Sequence, residues 1–225
     1  QFYQLRFSQM ETVLKEKNVD TIILDLGLSS IQLNNLNRGF SFKSKKNLDM
    51  TMGLTDKSAK YVINNLSESQ LMLIIKILGE EKDAKKIARN IAKARVEKEI
   101  TRVDELVNII EKSKKKNFSP KINPSTKTFQ ALRIFVNKEI SELIKGLISS
   151  VKILEKNGLL VLVSFHSLED KIIKTFFKLL SENNKISRYL PENTKKKNIL
   201  KLKEKKPILP SENEIKINKP SRSAK

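Results

Sequence analysis

The sequence has no cysteine and a single histidine, His166, among its 225 residues. A chain without thiols forms neither disulfides nor thiolate metal sites, and one histidine cannot supply the paired-histidine spacing of common zinc sites. No apolar run approaches the roughly 20 residues that a membrane-spanning helix needs. We therefore expect neither a bound metal nor a membrane-spanning protein.

Several catalytic motifs and much of the usual negative charge are also missing. The sequence contains no Gly-x-Gly-x-x-Gly, no Walker loop and no Gly-x-Ser-x-Gly elbow. The sequence has 25 Asp and Glu but 45 Lys and Arg, which gives a formal net charge of +20. Because cationic side chains displace counterions from phosphates, this charge favours a polyanionic partner, most simply nucleic acid. A merely soluble lysine-rich surface and docking on an anionic membrane stay open as alternatives.

Two apolar runs predict β-strands. Residues 20–27 are rich in β-branched side chains and leucine and end at a glycine. Residues 158–163 are apolar on both faces, which is typical of a strand in the middle of a parallel sheet. Because ligands of such sheets bind beyond the carboxyl ends of the strands, we expect Asp25 and the turn from Ser164 to Asp170 at the binding edge. Two strands do not complete a doubly wound sheet, and the chain begins with Gln1 rather than Met, so we expect further strands upstream.

Helical periodicity and capping signals predict the remaining elements. The predicted helices cover residues 7–17, 81–97, 129–154 and 167–181. Capping boxes at Ser67–Gln70 and Thr101–Asp104 predict two more helix starts. We expect a long binding loop over 29–53, a left-handed helix cap at Asn157-Gly158, and short strands at 198–202 and 214–217.

These elements predict an α/β protein with an inserted all-helical subdomain. Residues 1–56 and 119–184 supply the two parts of the α/β domain, and 57–118 form the helical insert. A basic, proline-terminated linker over 112–120 leaves that insert. Residues 185–225 are expected to form basic edge strands or a tail.

Asp25 and His166 are the candidates for chemistry. A carboxylate at the end of a strand, followed by glycine and two hydroxyls, is well placed to bind an amine or hydroxyl of a ligand, although a cap or turn is the structural alternative. His166 lies too close in sequence to Ser164 and Asp170 for a catalytic triad. Since Ser167 and Asp170 fit a capping box, we expect His166 to position the loop rather than to react.

Two further groups favour nucleic acid. Arg38, Phe40 and Phe42 interleave positive charge with aromatic rings, which suits an unstacked base; a loop anchored by two buried phenylalanines is the alternative. A basic stripe on one helical face lies opposite an apolar one, as expected for a helix that tracks phosphates or for solvated lysines. The stripe consists of Lys82, Lys86, Arg89 and Lys93.

The motifs together resemble one family, the RsmH (MraW) methyltransferases, which methylate N4 of a cytidine in the decoding region of small-subunit ribosomal RNA. The blocks that carry the resemblance are Asp25-Leu-Gly-Leu-Ser-Ser-Ile-Gln-Leu33, Arg38-Gly-Phe-Ser-Phe42, Leu48-Asp-Met50, Gly79-Glu-Glu81, Ile87-Ala-Arg89, Thr128-Phe-Gln-Ala-Leu-Arg-Ile-Phe-Val-Asn137, Ser164-Phe-His-Ser-Leu-Glu-Asp170 and Arg222-Ser-Ala-Lys225. They lie in the family's order and cover nearly the whole chain.

The resemblance implies a Rossmann-like S-adenosylmethionine methyltransferase domain, incomplete at its N-terminus, with a helical insert that recognises RNA. By motif matching, the family's cofactor contacts fall on Phe7, Asp25 and Gln32. Its Gly-Gly-His cofactor loop and a later acidic residue are expected before Gln1, so this chain alone lacks half of the expected pocket, which argues against activity in isolation. Thr51 and Gly53 replace a basic and an acidic residue that are usual in the family.

The resemblance further implies a cytoplasmic enzyme that acts on 16S ribosomal RNA or the small subunit, without a metal or a membrane. Asp25 is then the leading candidate for a polar contact with the amine, and the cytosine ring is expected to stack on Phe40 or Phe42. A non-catalytic basic RNA-binding module is the main rival. Methylation of DNA cytosine fits the same chemistry, but no Asp-Pro-Pro-Tyr-like tetrad occurs.

Overall fold

The computed structural model describes residues 1–14, 19–53, 57–114, 123–181 and 198–225. The chain forms two compact units. The sheet unit comprises Gln1–Gly27 and Ser141–Lys225, and the helical unit comprises Leu28–Ile140. None of the described helices is long and apolar enough to cross a membrane.

The sheet unit is built on two parallel strands, β1 (Val19–Asp25) and β2 (Leu154–Val163). Ile22 and Leu24 of β1 are buried, whereas Ile23 between them is 65% exposed. Successive side chains of a strand point to opposite faces, so β1 buries one face only. The burial of both faces predicted for residues 158–163 is not found in the part of the chain that the structure describes, where residues 160–163 are half-buried.

The helices of the sheet unit in the described residues are α1 (Met10–Val13), α8 (Glu139–Ile153), α9 (Ser167–Ser181) and α10 (Glu212–Ile217), with 3-10 turns at Phe7–Gln9 and Lys219–Ser223. Apolar residues of α1, α8 and α9 pack against the buried face of β1. The core consists of Ile22, Leu24, Leu26, Leu143, Leu147, Ile153 and Ile173. The predicted helix over 7–17 is thus a 3-10 turn followed by the short α1, and residues 15–17 lie outside the described residues.

The helical unit packs its helices and one loop around a shared core. After α2 (Ser30–Asn34) and a 3-10 turn at Leu36–Arg38 come α3 (Ala59–Asn65), α4 (Glu68–Leu78), α5 (Ala84–Glu97), α6 (Val103–Ser113) and α7 (Thr126–Asn137). Leu48 and Met50 of the loop share the core with Phe129 and Leu132 of α7. The compact unit is therefore larger than the insert predicted over 57–118, because apolar residues on both sides of that range pack into its core.

A buried ion pair of this unit connects the segment before α5 to the residue that follows α6. Nζ of Lys114, directly after α6, lies 2.5 Å from Oε2 of Glu81 and 2.5 Å from the carbonyl oxygen of Pro124. Only 11% of the Lys114 side chain and 5% of the Glu81 side chain are exposed. The contacts of Lys114 thus hold the segment before α5 close to the segment before α7. Most of the predicted linker over 112–120 lies outside the described residues.

The prediction of one helix over 129–154 is wrong. α7 is capped by Lys138, whose φ of 55° is left-handed, and α8 begins at Glu139. The Arg133 guanidinium donates from Nε and Nη2 to the carboxylate of Glu139, each at 2.8 Å. The apolar spacing continues through this one-residue break, so periodicity alone does not reveal it.

The predicted helix cap at Asn157-Gly158 is also wrong, because both residues lie inside β2. Val19 pairs with Leu154 whereas Thr21 pairs with Leu159, so the register shifts between them. Asn157, with a φ of 70°, lies in the additional residues of β2. Such irregularities take up extra residues in a strand without ending it.

The capping predictions have different outcomes. At α4, the N–H of Gln70 donates to Oγ of Ser67 at 3.2 Å and the N–H of Ser67 donates to Oε1 of Gln70 at 2.9 Å, which confirms the predicted box. At α6 the box is shifted by one residue. Arg102 is the cap, and the Glu105 carboxylate accepts from the N–H groups of Thr101 and Arg102.

The C-terminal strands predicted at 198–202 and 214–217 are wrong. No strand forms in the described residues 198–225, and 214–217 belong to α10. The N–H of Glu214 donates to Oγ of Ser211 at 3.2 Å, and Glu212 and Glu214 lie in the first turn. A serine cap followed by acidic residues favours a helix over the alternating pattern of this segment.

Candidate active site

Asp25 lies where the strands of the sheet unit end. It pairs with Val163 in the parallel register, and the N–H of Leu26 donates to the carbonyl of Val163 at 3.0 Å. The residue is exposed, so its carboxylate is open to a ligand. The structure therefore places Asp25 and the turn that follows β2 at the same carboxyl edge, as the sequence predicts.

Gly27 has a backbone conformation that favours glycine, and the turn after β2 lies beside it. Its φ is 94°, a left-handed conformation that favours glycine, and a Cβ at this position would lie 3.5 Å from Cδ2 of Phe165. The ring of Phe165 thus lies against the chain just beyond Asp25. The ring of Phe165 therefore forms an aromatic wall beside the exposed carboxylate of Asp25.

His166 supports the turn through the N-terminus of α9. Its Nδ1 accepts from the N–H of Glu169 at 3.4 Å, and Oε2 of Glu169 accepts from the N–H of Phe165 at 3.1 Å. His166 therefore occupies the capping position that was predicted for Ser167, since α9 already begins at Ser167. Nε2 of His166 lies 3.1 Å from Oε1 of Glu169, in a geometry that makes no hydrogen bond. Its position inside the turn agrees with a structural rather than a chemical role.

Asp170 binds two ammonium groups. Its Oδ2 accepts from Nζ of Lys174 at 2.8 Å and from Nζ of Lys225 at 3.0 Å. Partial burial by itself would raise the pKa of Asp170, but the hydrogen bonds from the two lysines outweigh burial and lower the pKa below its ordinary value. Asp170 is therefore an anionic anchor in the first turn of α9.

The other two residues matched to cofactor contacts lie in different units. Phe7, in the sheet unit, is half-buried with its ring against Gly146 of α8, where any Cβ would overlap it. Gln32 belongs to the helical unit and completes a capping box of α2, in which its Oε1 accepts from the N–H of Ser29 at 3.0 Å. The amide nitrogen of Gln32 is left as a potential donor.

The residues present fit an S-adenosylmethionine molecule in type. An exposed carboxylate suits a hydroxyl, an amine or a sulfonium, and a half-buried ring suits the apolar surface of an adenine. Asp25 and Phe7 supply these groups within the sheet unit.

The loop with interleaved aromatics is anchored by its rings. Phe40 is only 6% exposed, and Phe42 packs edge-to-face on Phe129 with 6.4 Å between ring centroids. Arg38 lies over the Phe40 ring at 5.3 Å and donates from Nη2 to the carbonyl of Thr51 at 2.8 Å. The prediction that a base stacks on Phe40 is corrected, because that ring belongs to the core. The anchored-loop alternative holds for Phe40, whereas Phe42 is half-buried and its contact with a base stays a prediction.

The basic stripe lies on the solvent face of α5 and of the turn that leads into it. Lys82, Lys86, Arg89 and Lys93 are exposed, and Ile87 and Ile91 on the opposite side of the helix are fully buried. Arg89 makes a long ion pair to Glu68, with 3.9 Å between Nε and Oε1. The stripe therefore presents its cations to solvent, as a phosphate contact requires.

One interaction at the edge has no counterpart in the sequence predictions. Ser164, which is 3% exposed, exchanges two backbone hydrogen bonds with Lys225. Backbone pairing between residues so far apart leaves no periodicity or composition signal. The Arg222-Ser-Ala-Lys225 block was visible only as part of the family resemblance.

Comparison with known proteins identifies the family. A family model described as the MraW methylase family matches residues 1–225. The chain is similar to "Ribosomal RNA small subunit methyltransferase H" of Bartonella bacilliformis, with 47% identity over 84% of this chain and 57% of the relative. Proteins of the same name in Bartonella grahamii and Chelativorans sp. are 46% and 42% identical over 99% and 97% of this chain, and over 67% and 64% of their own lengths. The chain thus spans between about half and two thirds of the length of these relatives. On these matches, the chain belongs to the MraW methylase family.

Proposed function

We propose that the full-length protein transfers a methyl group from S-adenosylmethionine to the exocyclic N4 of a cytidine in the decoding region of 16S ribosomal RNA. The match to the MraW methylase family over residues 1–225 carries this proposal. Relatives named ribosomal RNA small subunit methyltransferase support the substrate class. The cytidine, its N4 atom and the methyl donor come from the motif resemblance.

The proposal includes the rest of the architecture. A Rossmann-like sheet would include strands in addition to β1 and β2, and the helical unit would be an insert that recognises RNA. The one-sided burial of β1, which leaves Ile23 65% exposed, supports a sheet whose second face is covered by further elements in the complete domain. We place the enzyme in the cytoplasm, acting without a metal on small-subunit RNA or the small subunit.

In the proposed reaction, the protein must mainly align the N4 amine with the methyl group rather than activate either of them. S-adenosylmethionine supplies an electrophilic methyl group on a sulfonium. The N4 lone pair of cytosine is delocalised into the ring, so the protein must hold the amine in line with the carbon–sulfur bond. Methyl transfer would form a carbon–nitrogen bond, break the carbon–sulfur bond with its electron pair left on the sulfur of S-adenosylhomocysteine, and release one proton from N4 to solvent. Orientation of this kind supplies several kcal/mol, on the order of 7.

Asp25 is the residue proposed to orient the amine. Its exposed carboxylate at the carboxyl edge of β1 can accept a hydrogen bond from N4–H and offset charge that develops on the nitrogen. The turn around Phe165 is proposed to form the adjacent wall. Because Phe40 is buried, ring stacking on that residue is not part of the proposal.

The exposed cations of α5 are proposed to contact RNA phosphates. The stripe of Lys82, Lys86, Arg89 and Lys93 is a row of exposed cations on one helical face, which suits phosphate contacts that supply affinity and placement rather than choice of nucleotide. Arg38, held by Thr51, is proposed as a further contact, and Phe42 as a half-exposed surface beside it.

The test is transfer of label from S-adenosylmethionine by the full-length protein to small ribosomal subunits that lack the modification, with mapping of the labelled nucleotide. Label on N4 of a decoding-region cytidine is expected. Binding of the subunits without transfer would instead favour the non-catalytic RNA-binding module.

Asp25→Ala tests the proposed site. We expect turnover to fall about 100-fold, as for loss of a group that orients a reacting atom. Asp20→Ala is the matched control, because Asp20 is an exposed carboxylate at the opposite end of the same strand. Wild-type turnover and cofactor affinity in Asp25→Ala would contradict the assignment.

A further inference from the structure

The geometry assigns Lys225 as a positioning residue, which holds the turn after β2 in the shape that forms the wall of the methyl-transfer site. The role rests on the proposed function, because the wall matters only if the edge at Asp25 is the reacting edge. Lys225 itself lies outside that edge and acts through Ser164 and Asp170.

The first contact is through the main chain. The N–H of Ser164 donates to the carbonyl of Lys225, and the N–H of Lys225 donates to the carbonyl of Ser164, both at 3.0 Å. The carbonyl of Val163, one residue earlier, accepts from Leu26 of the β1 side. Because successive residues of an extended chain point their backbone groups to opposite sides, Lys225 lies on the side of β2 away from β1. The first residue of the turn is thus held from both sides.

The second contact is through the side chain. Nζ of Lys225 lies 3.0 Å from Oδ2 of Asp170, and the Asp170 side chain is only 13% exposed. Asp170 in turn donates its N–H to the carbonyl of His166 at 3.1 Å. One lysine therefore fixes the beginning of the turn through Ser164 and its end through the first turn of α9.

The segment that carries Lys225 is itself ordered by local hydrogen bonds. Ser221 is buried, with its Oγ donating to the carbonyl of Asn218 at 2.7 Å, and the N–H of Ala224 donates to the carbonyl of Ser221 at 2.8 Å. Lys225 consequently follows an ordered segment rather than a free tail.

The group that Lys225 positions is the ring of Phe165. This residue stands between Ser164 and His166, the two turn residues fixed through Lys225 and Asp170, and its ring lies against Gly27. Release of Lys225 would let the ring move relative to Asp25. A displacement of about 1 Å at a reacting centre is enough to lower turnover 10- to 100-fold.

Lys225→Met in the full-length protein tests the assignment, since methionine keeps an apolar stem and the backbone bonds but removes the ammonium. Lys174→Met is the matched control, because Nζ of Lys174 binds the same Oδ2 of Asp170 and makes no contact with Ser164. We expect kcat to fall about tenfold in Lys225→Met, to stay within about twofold in Lys174→Met, and to recover in Lys225→Arg.

Amide exchange of Ser164 gives a readout that does not depend on activity. We expect it to be at least about tenfold faster in Lys225→Met and unchanged in Lys174→Met. Equal exchange in the two variants, or a loss of kcat that merely follows the folded fraction, would overturn the positioning role. No methyl transfer by the wild-type protein would overturn the proposed function instead, and with it the effect on kcat.

Discussion

Glu105 shows how much one carboxylate can do at the start of a helix. It accepts from Nζ of Lys98 at 2.7 Å and from the N–H groups of Thr101 and Arg102 at 2.9 and 3.0 Å. The hydrogen bond from Lys98, followed by the one from Thr101, lowers the pKa of Glu105 from 4.5 to about 2. Since the folded-state pKa lies below the unfolded one, the stabilisation is complete above pH 4.5 and disappears as the pH falls toward 2.

Glu105→Gln should therefore change the pH dependence of folding. We expect the variant to be about 1 kcal/mol less stable at pH 7, because it has no anionic cap, and to lose less stability than wild type between about pH 5 and about pH 2.5. Urea unfolding at both pH values measures this. Glu99→Gln, at an exposed pair with Lys60, controls for the loss of one negative charge. Identical pH dependence in the two variants would contradict the role of Glu105.

Gly79 marks a close approach of two helices in the helical unit. A Cβ at this position would lie 2.5 Å from the carbonyl oxygen of Lys127 and 2.8 Å from that of Ile75. Both are main-chain atoms, so neither can rotate away.

Gly79→Ala is expected to destabilise the protein by about 1–3 kcal/mol through overpacking, measured by urea unfolding. Gly53→Ala serves as the comparison, because Gly53 has a φ of 86° but no atom within 4 Å of the added Cβ. It should cost only about 1 kcal/mol of backbone strain. A Gly79→Ala variant as stable as wild type would show that α4 and α7 can separate.

At the scale of elements, the break between α7 and α8 depends on one residue. Lys138 adopts a left-handed conformation, and its N–H donates to the carbonyls of Ile134 and Phe135. A β-branched side chain is poorly tolerated in this conformation.

We expect Lys138→Ile to lower stability by about 1–2 kcal/mol and Lys138→Gly to lower it less, because glycine accepts a positive φ. Thermal unfolding measures both. Lys145→Ile, at an exposed position within α8, controls for loss of charge and for helix propensity. If Lys138→Ile and Lys145→Ile were equally stable, the break would not depend on the conformation of Lys138.

The elements also show which signals the sequence carries. The strands and the helices α4, α5 and α9 were predictable, because burial of one face imposes a period and caps mark the ends. The break at Lys138 was not, since it leaves the apolar spacing intact. The role of Phe40 was ambiguous for another reason. Aromatic and basic residues that alternate in a loop are expected both where the loop binds RNA and where its rings are buried in a core. The pairing of Ser164 with Lys225 is made by the main chain, which every residue shares, so side-chain patterns could not reveal it.

At the scale of the whole molecule, the question is which of the many exposed cations contact RNA. Net charge alone predicts general attraction to RNA. The stripe on α5 and the lysines after residue 198 are both exposed, and they belong to different units.

Salt dependence of RNA binding separates the two regions. We expect replacement of Lys82, Lys86, Arg89 and Lys93 by glutamine to make the slope of log K against log salt shallower, by about 0.7 for each phosphate that is no longer neutralised. The control has the same change in charge, with glutamine at the exposed Lys201, Lys203, Lys205 and Lys206, and should keep a steeper slope. Equal slopes for the two variants would show that the stripe contributes only to net charge.

The buried contact of Lys114 with Glu81 and Pro124 has an evolutionary consequence. It holds the residues before and after 115–122 near one point, whatever the length of chain between them. Closing a loop between fixed ends costs little more as the loop grows, about 0.6 kcal/mol for each doubling of its length. Relatives that keep this lysine and glutamate are therefore free to lengthen or shorten the connection without repacking α5, α6 and α7.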